Sequence, residues 1–212
     1  MKKEILIATG VFLIFFFYAW LRYISFGPFS TTDFLFVLNK SFAFAVIGIM
    51  FTAYLPVAYR KLRRDILGYA AFYFTLIHFI LSLILLPGKY YHHYHKPDGR
   101  LYFDFKMAVT TGIVAFFSLL VIYSYFKLKK KSGVNPKIFG CLTCTYYLAL
   151  LGHVYFLGYE NWAQPEKWHG GMPPITLISF IFLLLFIPLG LYFIKFTRRD
   201  YLTREAAKTH TE

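Results

Sequence analysis

The chain has 212 residues, 58% of them hydrophobic and 22% aromatic, with a net charge of +13 and a mean hydropathy of +0.53. Soluble domains run at about 45–50% apolar residues, so a soluble globular domain is excluded, and the apolar stretches leave no room for a separate soluble domain of about 100 residues. The charge does not point to nucleic acid, because the basic residues sit in short loops between apolar runs, as the positive-inside bias of membrane proteins requires.

A membrane-crossing helix needs about 20 apolar residues, and six such stretches follow one another. The first is expected over about 5–24. Its Met-Lys-Lys-Glu start resembles a signal peptide, but no small-residue cleavage site follows and the apolar run reaches Leu21, so a retained helix is expected. Gly27-Pro28 ends it. The second is expected over about 34–59, with Asn39 and Lys40 near its outer end and Pro56 near its inner end. A basic turn (Arg60, Lys61, Arg63, Arg64) leads to the third, about 66–86, which Pro87-Gly88 closes. A polar loop then holds Tyr90-Tyr91-His92-His93-Tyr94-His95. After the fourth, about 105–128, Lys127, Lys129, Lys130, Lys131 and Lys137 flank the next turn, with Asn135-Pro136 inside it. The fifth runs about 138–159 and the sixth about 175–196; residues 197–212 form a polar tail that includes His210. The expected fold is an all-α, polytopic bundle of six transmembrane helices forming one domain over 1–212. The second-to-third turn has four Lys and Arg and the fourth-to-fifth five; the third-to-fourth loop has four (Lys89, Lys96, Arg100, Lys106) with Asp98 and Asp104 beside them, and the fifth-to-sixth only Lys167. That count puts both termini on the cytoplasmic side of an inner (plasma) membrane, in contact with lipid.

Two histidines fall inside apolar runs, His78 in the third helix and His153 in the fifth. An ionisable side chain in a span is costly and marks a functional position. Both helices run from inside to outside. His78 lies 14 residues beyond Arg64 and His153 lies 16 beyond Lys137, about 21 and 24 Å at 1.5 Å per residue. Two imidazoles at matched depth could hold a haem iron from both faces, with Gly152 allowing a flat macrocycle close to the backbone. The alternative is a pair of histidines that hydrogen-bond across the bundle and bind nothing.

Further imidazoles (His92, His93, His95 and His169) lie in the outer loops. Such clusters suit copper, zinc or iron, or are a solvated aromatic loop at the headgroups. Cys141-x-x-Cys144 opens the fifth helix on the inner side, where a reducing cytoplasm disfavours a disulfide. No Gly-x-Gly-x-x-Gly, P-loop or His-Glu-x-x-His is present, so electrons would come from a quinol or a separate flavin reductase. The basic inner face could dock an acidic donor, the phosphate of a flavin such as FMN, or anionic lipid.

The run from Arg63-Arg64-Asp65-Ile66-Leu67-Gly68 to His78 resembles the third helix of ferric-reductase-like transmembrane domains, within them most nearly the haem subunit of bacterial periplasmic methionine sulfoxide reductase systems, the MsrQ (YedZ) family. That family has an Arg-Arg-x-Leu-Gly start and then a histidine at nearly this spacing. Pro56 with Arg60 resembles its second helix. Tyr102-Phe-Asp-Phe-Lys-Met-Ala-Val-Thr-Thr-Gly112 resembles its entry into the fourth, and Tyr146-Tyr-Leu-Ala-Leu-Leu-Gly-His153-Val-Tyr its fifth. The resemblance covers about residues 35–160. It implies a b-type haem with His78 and His153 as axial ligands.

The chain departs from the family at the inner end of the fifth helix, where a histidine is usual and Phe139-Gly-Cys141-Leu-Thr143-Cys144 stands instead. A second haem would need another pair. His92 is 14 residues from His78, about four turns, but Pro87-Gly88 intervenes, and the matching place on the fifth helix is near Glu166, with His169 beyond Pro165. The expected function is a membrane electron-transfer subunit delivering electrons to an acceptor, such as a protein, on the outer (periplasmic) face. The alternatives are a non-enzymatic metal-ion carrier or membrane anchor using the outer histidines, and a direct ferric or cupric reductase.

Overall fold

The structure, a computed structural model, describes residues 2–28, 33–55, 62–86, 94–98, 100–129 and 135–188. The expected inner ends of the second and sixth helices, Pro56, Arg60, Pro87-Gly88, His92, His93 and the polar tail lie outside these residues. Among the described residues six helices are long and apolar enough to cross a membrane. They are α1 (Lys2–Trp20), α2 (Phe34–Tyr54), α3 (Arg64–Leu85), α4 (Phe103–Lys129) and α5 (Pro136–Gly158), with α6 described over 175–188. Several begin two or three residues before their apolar runs, because caps and polar first turns extend a helix past its hydrophobic stretch. Asn135 accepts the Lys137 N–H at 3.0 Å and Pro136 takes the first helical position. Ahead of α4 the loop folds back on itself, with Tyr102 N–H donating to Tyr94 O at 2.9 Å and His95 bridging Leu101. At its far end α1 runs into a π-turn, Leu21–Ser25, which turns Arg22 inward to 5% exposure.

Sequence neighbours pack antiparallel. α2 is the central helix: 56% of its membrane-length window is buried, against 17% to 22% for the other five. It joins α1 and α3 in one cluster (Ala8, Val46, Ile49, Leu67, Ala71) and α5 and α6 in another (Ile47, Val154, Leu183). Outward-facing residues such as Leu6, Ile14, Phe17, Ile84 and Phe117 are more than half exposed, far more apolar surface than water tolerates on a monomer. Hydroxyls within the spans bond back to their own helices (Ser41 to Val37 O, Thr75 to Ala71 O, Thr143 to Phe139 O). These bonds leave the hydroxyls satisfied where no water can reach them.

The contacts around α3 differ on its two sides. α2 packs along α3 closely, and α4 along α5, whereas α3 meets α4 only lightly and α5 scarcely at all. The α3–α4 seam is made of flat ring pairs. Phe72 stacks on Tyr123 (centroids 4.1 Å apart, 9° between planes) and Phe79 on Phe116 (3.9 Å, 2°). The two pairs are seven residues apart on each helix, so they stand on one side of both, about two turns apart. Rings stacked in this way hold the backbones apart. On the other seam small residues bring α4 and α5 together: a Cβ added at Gly152 would come within 3.2 Å of Thr111 Cγ2.

Gly48 of α2 is the tightest point of the α1–α2 contact, since a Cβ there would fall 2.1 Å from the Phe15 ring, itself stacked on Phe44 at 3.8 Å. Gly48→Ala should therefore destabilise the protein by about 1–3 kcal/mol through overpacking. Gly10→Ala, with nothing within 4 Å of the new methyl, should stay within about 0.5 kcal/mol of wild type. Thermal unfolding in detergent checks the pair, and equal midpoints for the two variants would contradict the close α1–α2 approach.

Candidate functional site

A histidine in an apolar span needs a partner for its N–H, and each of the two has found one on the helix beside it. His78 of α3 places Nδ1 at 2.6 Å from Asn39 Oδ1 and 3.2 Å from Asn39 O, both on α2. A main-chain carbonyl only accepts, so Nδ1 is the protonated nitrogen whichever way the Asn39 amide is turned. Asn39 is fully buried and is fixed in turn by Ser82, whose hydroxyl lies 3.2 Å from Nδ2 and 3.3 Å from Oδ1. His153 of α5 donates Nδ1–H to Ala108 O of α4 at 2.8 Å. Both rings are thus held as the Nδ1–H tautomer, with the lone pair on Nε2. Neither Nε2 has a hydrogen-bond partner among the described residues, and both side chains are half-buried rather than sealed.

The helix starts give their depths. Asn39 lies five residues past Phe34, the first of α2, and Ala108 five past Phe103, the first of α4. Both anchors therefore sit about 7–8 Å inside the same end of the bundle at 1.5 Å per residue. The rings they hold therefore lie at a matching level. They belong to α3 and α5, the two core helices that scarcely touch.

Gly112 of α4 was not evident as part of this arrangement from the sequence. A Cβ there would stand 2.7 Å from His153 Nδ1, so the bond from His153 to Ala108 needs glycine at this position. Gly152 gives its space to Thr111 of α4. Asn39 was visible only as a polar residue near a helix end; that it faces His78 follows from how α2 and α3 pack.

The outer histidines are arranged differently. His95 sits in the folded-back loop before α4. His169 lies in a short 3-10 turn after α5, within electrostatic reach of Arg22, a cation that opposes a metal ion there. Among the described residues no three His, Cys, Asp or Glu side chains come together as a group that could hold an ion. Cys141 and Cys144 are free thiols, both exposed. No family model matches the chain, and no curated protein matches it.

Two imidazoles with anchored Nδ1–H groups and available Nε2 lone pairs are the donor set that a metal porphyrin uses, the anchoring bond fixing tautomer and ring direction. The tautomers can be read directly. Nitrogen-15 histidine NMR of the protein in detergent should show two imidazoles protonated at Nδ1. Gly112→Val should release the His153 signal from that form without moving the His78 signal, and Asn39→Leu should perturb His78 alone. Protonation of either ring at Nε2 in wild type would contradict the assignment.

Proposed function

We propose that this chain is a b-type haem membrane electron-transfer subunit of the inner (plasma) membrane, with His78 and His153 as axial ligands. The observation that carries the reading is the pair of Nδ1-anchored imidazoles, one on each of two parallel helices, with anchors at the same depth. The residues present suit the group: both ligand atoms are neutral imidazole nitrogens, as haem iron accepts, and the helices that carry them are not packed against each other. When bound, a haem b supplies a one-electron ferric/ferrous couple, and two histidine ligands favour electron transfer over oxygen binding.

The chain's own contribution is orientation and insulation. Asn39 and Ala108 fix the imidazole planes, and the stacked rings of α3 and α4 and the apolar clusters around α2 keep water from the histidines. The basic residues Arg63, Lys127 and Lys137 are exposed and belong to the end of the bundle opposite the histidines. Under the positive-inside rule that end is cytoplasmic, with both termini there and the histidines nearer the outer face. Electrons would come from a quinol in the membrane or a separate flavin reductase at the basic face, and leave to an acceptor at the outer loops.

The detergent-purified protein should show a b-type reduced-minus-oxidised spectrum. His78→Ala and His153→Ala should each abolish or strongly diminish it, while His95→Ala and His169→Ala leave it intact. Absorbance that survives in both His78→Ala and His153→Ala, or that is absent from wild type, would sink the assignment. Metal binding without such a spectrum would favour the metal-carrier alternative.

A further inference from the structure

Arg22 lies 20 residues beyond Lys2, the first of α1, about 30 Å by helix rise, which matches the thickness of the hydrocarbon layer. Its side chain therefore belongs at the level of the lipid phosphates, at the end of the bundle opposite Lys2. A cation at that level ordinarily extends towards water and headgroups, yet the π-turn Leu21–Ser25 turns this one inward to 5% exposure. Its Nη1 donates to Met172 O. Tyr18 donates to Pro173 O at 2.6 Å, so the segment leading into α6 lies across the end of α1. A guanidinium has five N–H donors. Here Nε is buried with no hydrogen-bond partner, and no carboxylate forms an ion pair with the group, among the described residues. A permanently charged group with a buried, unmatched N–H is costly to keep.

With Nη1 used on Met172, the edge formed by Nε and Nη2 is the one that meets two oxygens of an oxyanion side by side. The turn next to it, His169–Gly171, ends in two glycines at positive φ, 60° and 69°. Gly170 is pressed against Phe26, where an added Cβ would fall 2.6 Å from the ring, whereas Gly171, beside Met172, faces open space, with nothing within 4 Å of an added Cβ. We propose that Arg22 is the binding residue of a phosphate site between the π-turn and this glycine turn, filled by the headgroup of a phospholipid. The site is separate from the two histidines and does not depend on the haem reading. A guanidinium that only pins the loop through Met172 would not tell a phospholipid from a lipid lacking the phosphate.

The purified protein in a maltoside detergent, which carries no phosphate, is titrated with phosphatidylglycerol, with diacylglycerol of the same chains, and with inorganic phosphate. Nitrogen-15 NMR follows the Arg22 Nε–H signal, identified by its loss in Arg22→Lys. That signal should move saturably with phosphatidylglycerol and stay in place with diacylglycerol. No movement with phosphatidylglycerol, or equal movement with diacylglycerol, overturns the proposal. Movement with inorganic phosphate alone replaces the headgroup by a free anion and overturns the lipid assignment. In parallel, phosphatidylglycerol should raise the thermal midpoint of wild type through binding to the folded state. Arg22→Met should need about tenfold to a hundredfold more lipid for the same rise, the range for a hydrogen bond between charged groups, and Arg22→Lys should fall between them. An equal lipid requirement in wild type and Arg22→Met also overturns the role of Arg22. If Arg22→Met does not fold, the wild-type titration decides alone.

Discussion

The structure turns on one requirement: an imidazole placed in an apolar span must give its N–H to an oxygen. Water is absent there, and an unpaired polar group costs several kcal/mol. Each histidine meets the demand through the neighbouring helix, His78 through Asn39 of α2 and His153 through Ala108 of α4. The consequence for chemistry follows from the consequence for stability. Whichever nitrogen donates is lost as a ligand, and the geometry uses Nδ1 in both rings. Nε2, at the far side of each ring, is left with its lone pair.

This arrangement needs an uneven bundle. If every pair of helices packed equally well, α3 would close on α5 and the imidazoles would bond to each other or be squeezed aside. Instead the chain spends its small residues on the α4–α5 seam, where Ala108, Gly112 and Gly152 allow backbone and ring to come close. Its large flat residues go to the α3–α4 seam, where Phe72, Phe79, Phe116 and Tyr123 stack face to face. The central helix supplies the remaining polar partner, Asn39. In a membrane, where burial of apolar surface gives no drive for helices to associate, this choice of small against flat residues is what sets interhelical distance.

The helices and the two interior histidines were legible in the sequence, because both signals are local. A run of some 20 apolar residues has one reading in terms of length, and a histidine inside it stands out against that background. Counting from Arg64 and Lys137 placed His78 and His153 within about one helical turn of the same depth, and the anchors, each five residues into its helix, lie level as well. Asn39, Gly112 and Arg22 were not legible as members of anything. Asn39 sits near the start of a span, where polar residues are common, and only the packing of α2 on α3 turns it towards His78. Gly112 matters for an atom 41 positions away in sequence, His153 Nδ1. Arg22 would be read as a headgroup-facing cation, but a π-turn, which hydropathy does not register, rotates it inward to the backbone of Met172.

Depth also weighs between the two donors. His78 lies about 21 Å of helix beyond Arg64, so on the proposed reading the iron is in the outer half of the span. The inner halves of α3 and α5 hold Tyr69, Tyr73, Cys141, Thr143 and Cys144 and no histidine, hence no axial pair for a second haem to bridge the distance. A flavin docked on the basic inner face would be separated from the iron by most of the hydrocarbon thickness of about 30 Å. A quinol dissolved in the bilayer is not confined to that surface. On the proposed reading, the residues that leave the inner half without a haem pair weigh towards a donor that travels in the membrane over one that waits at its surface.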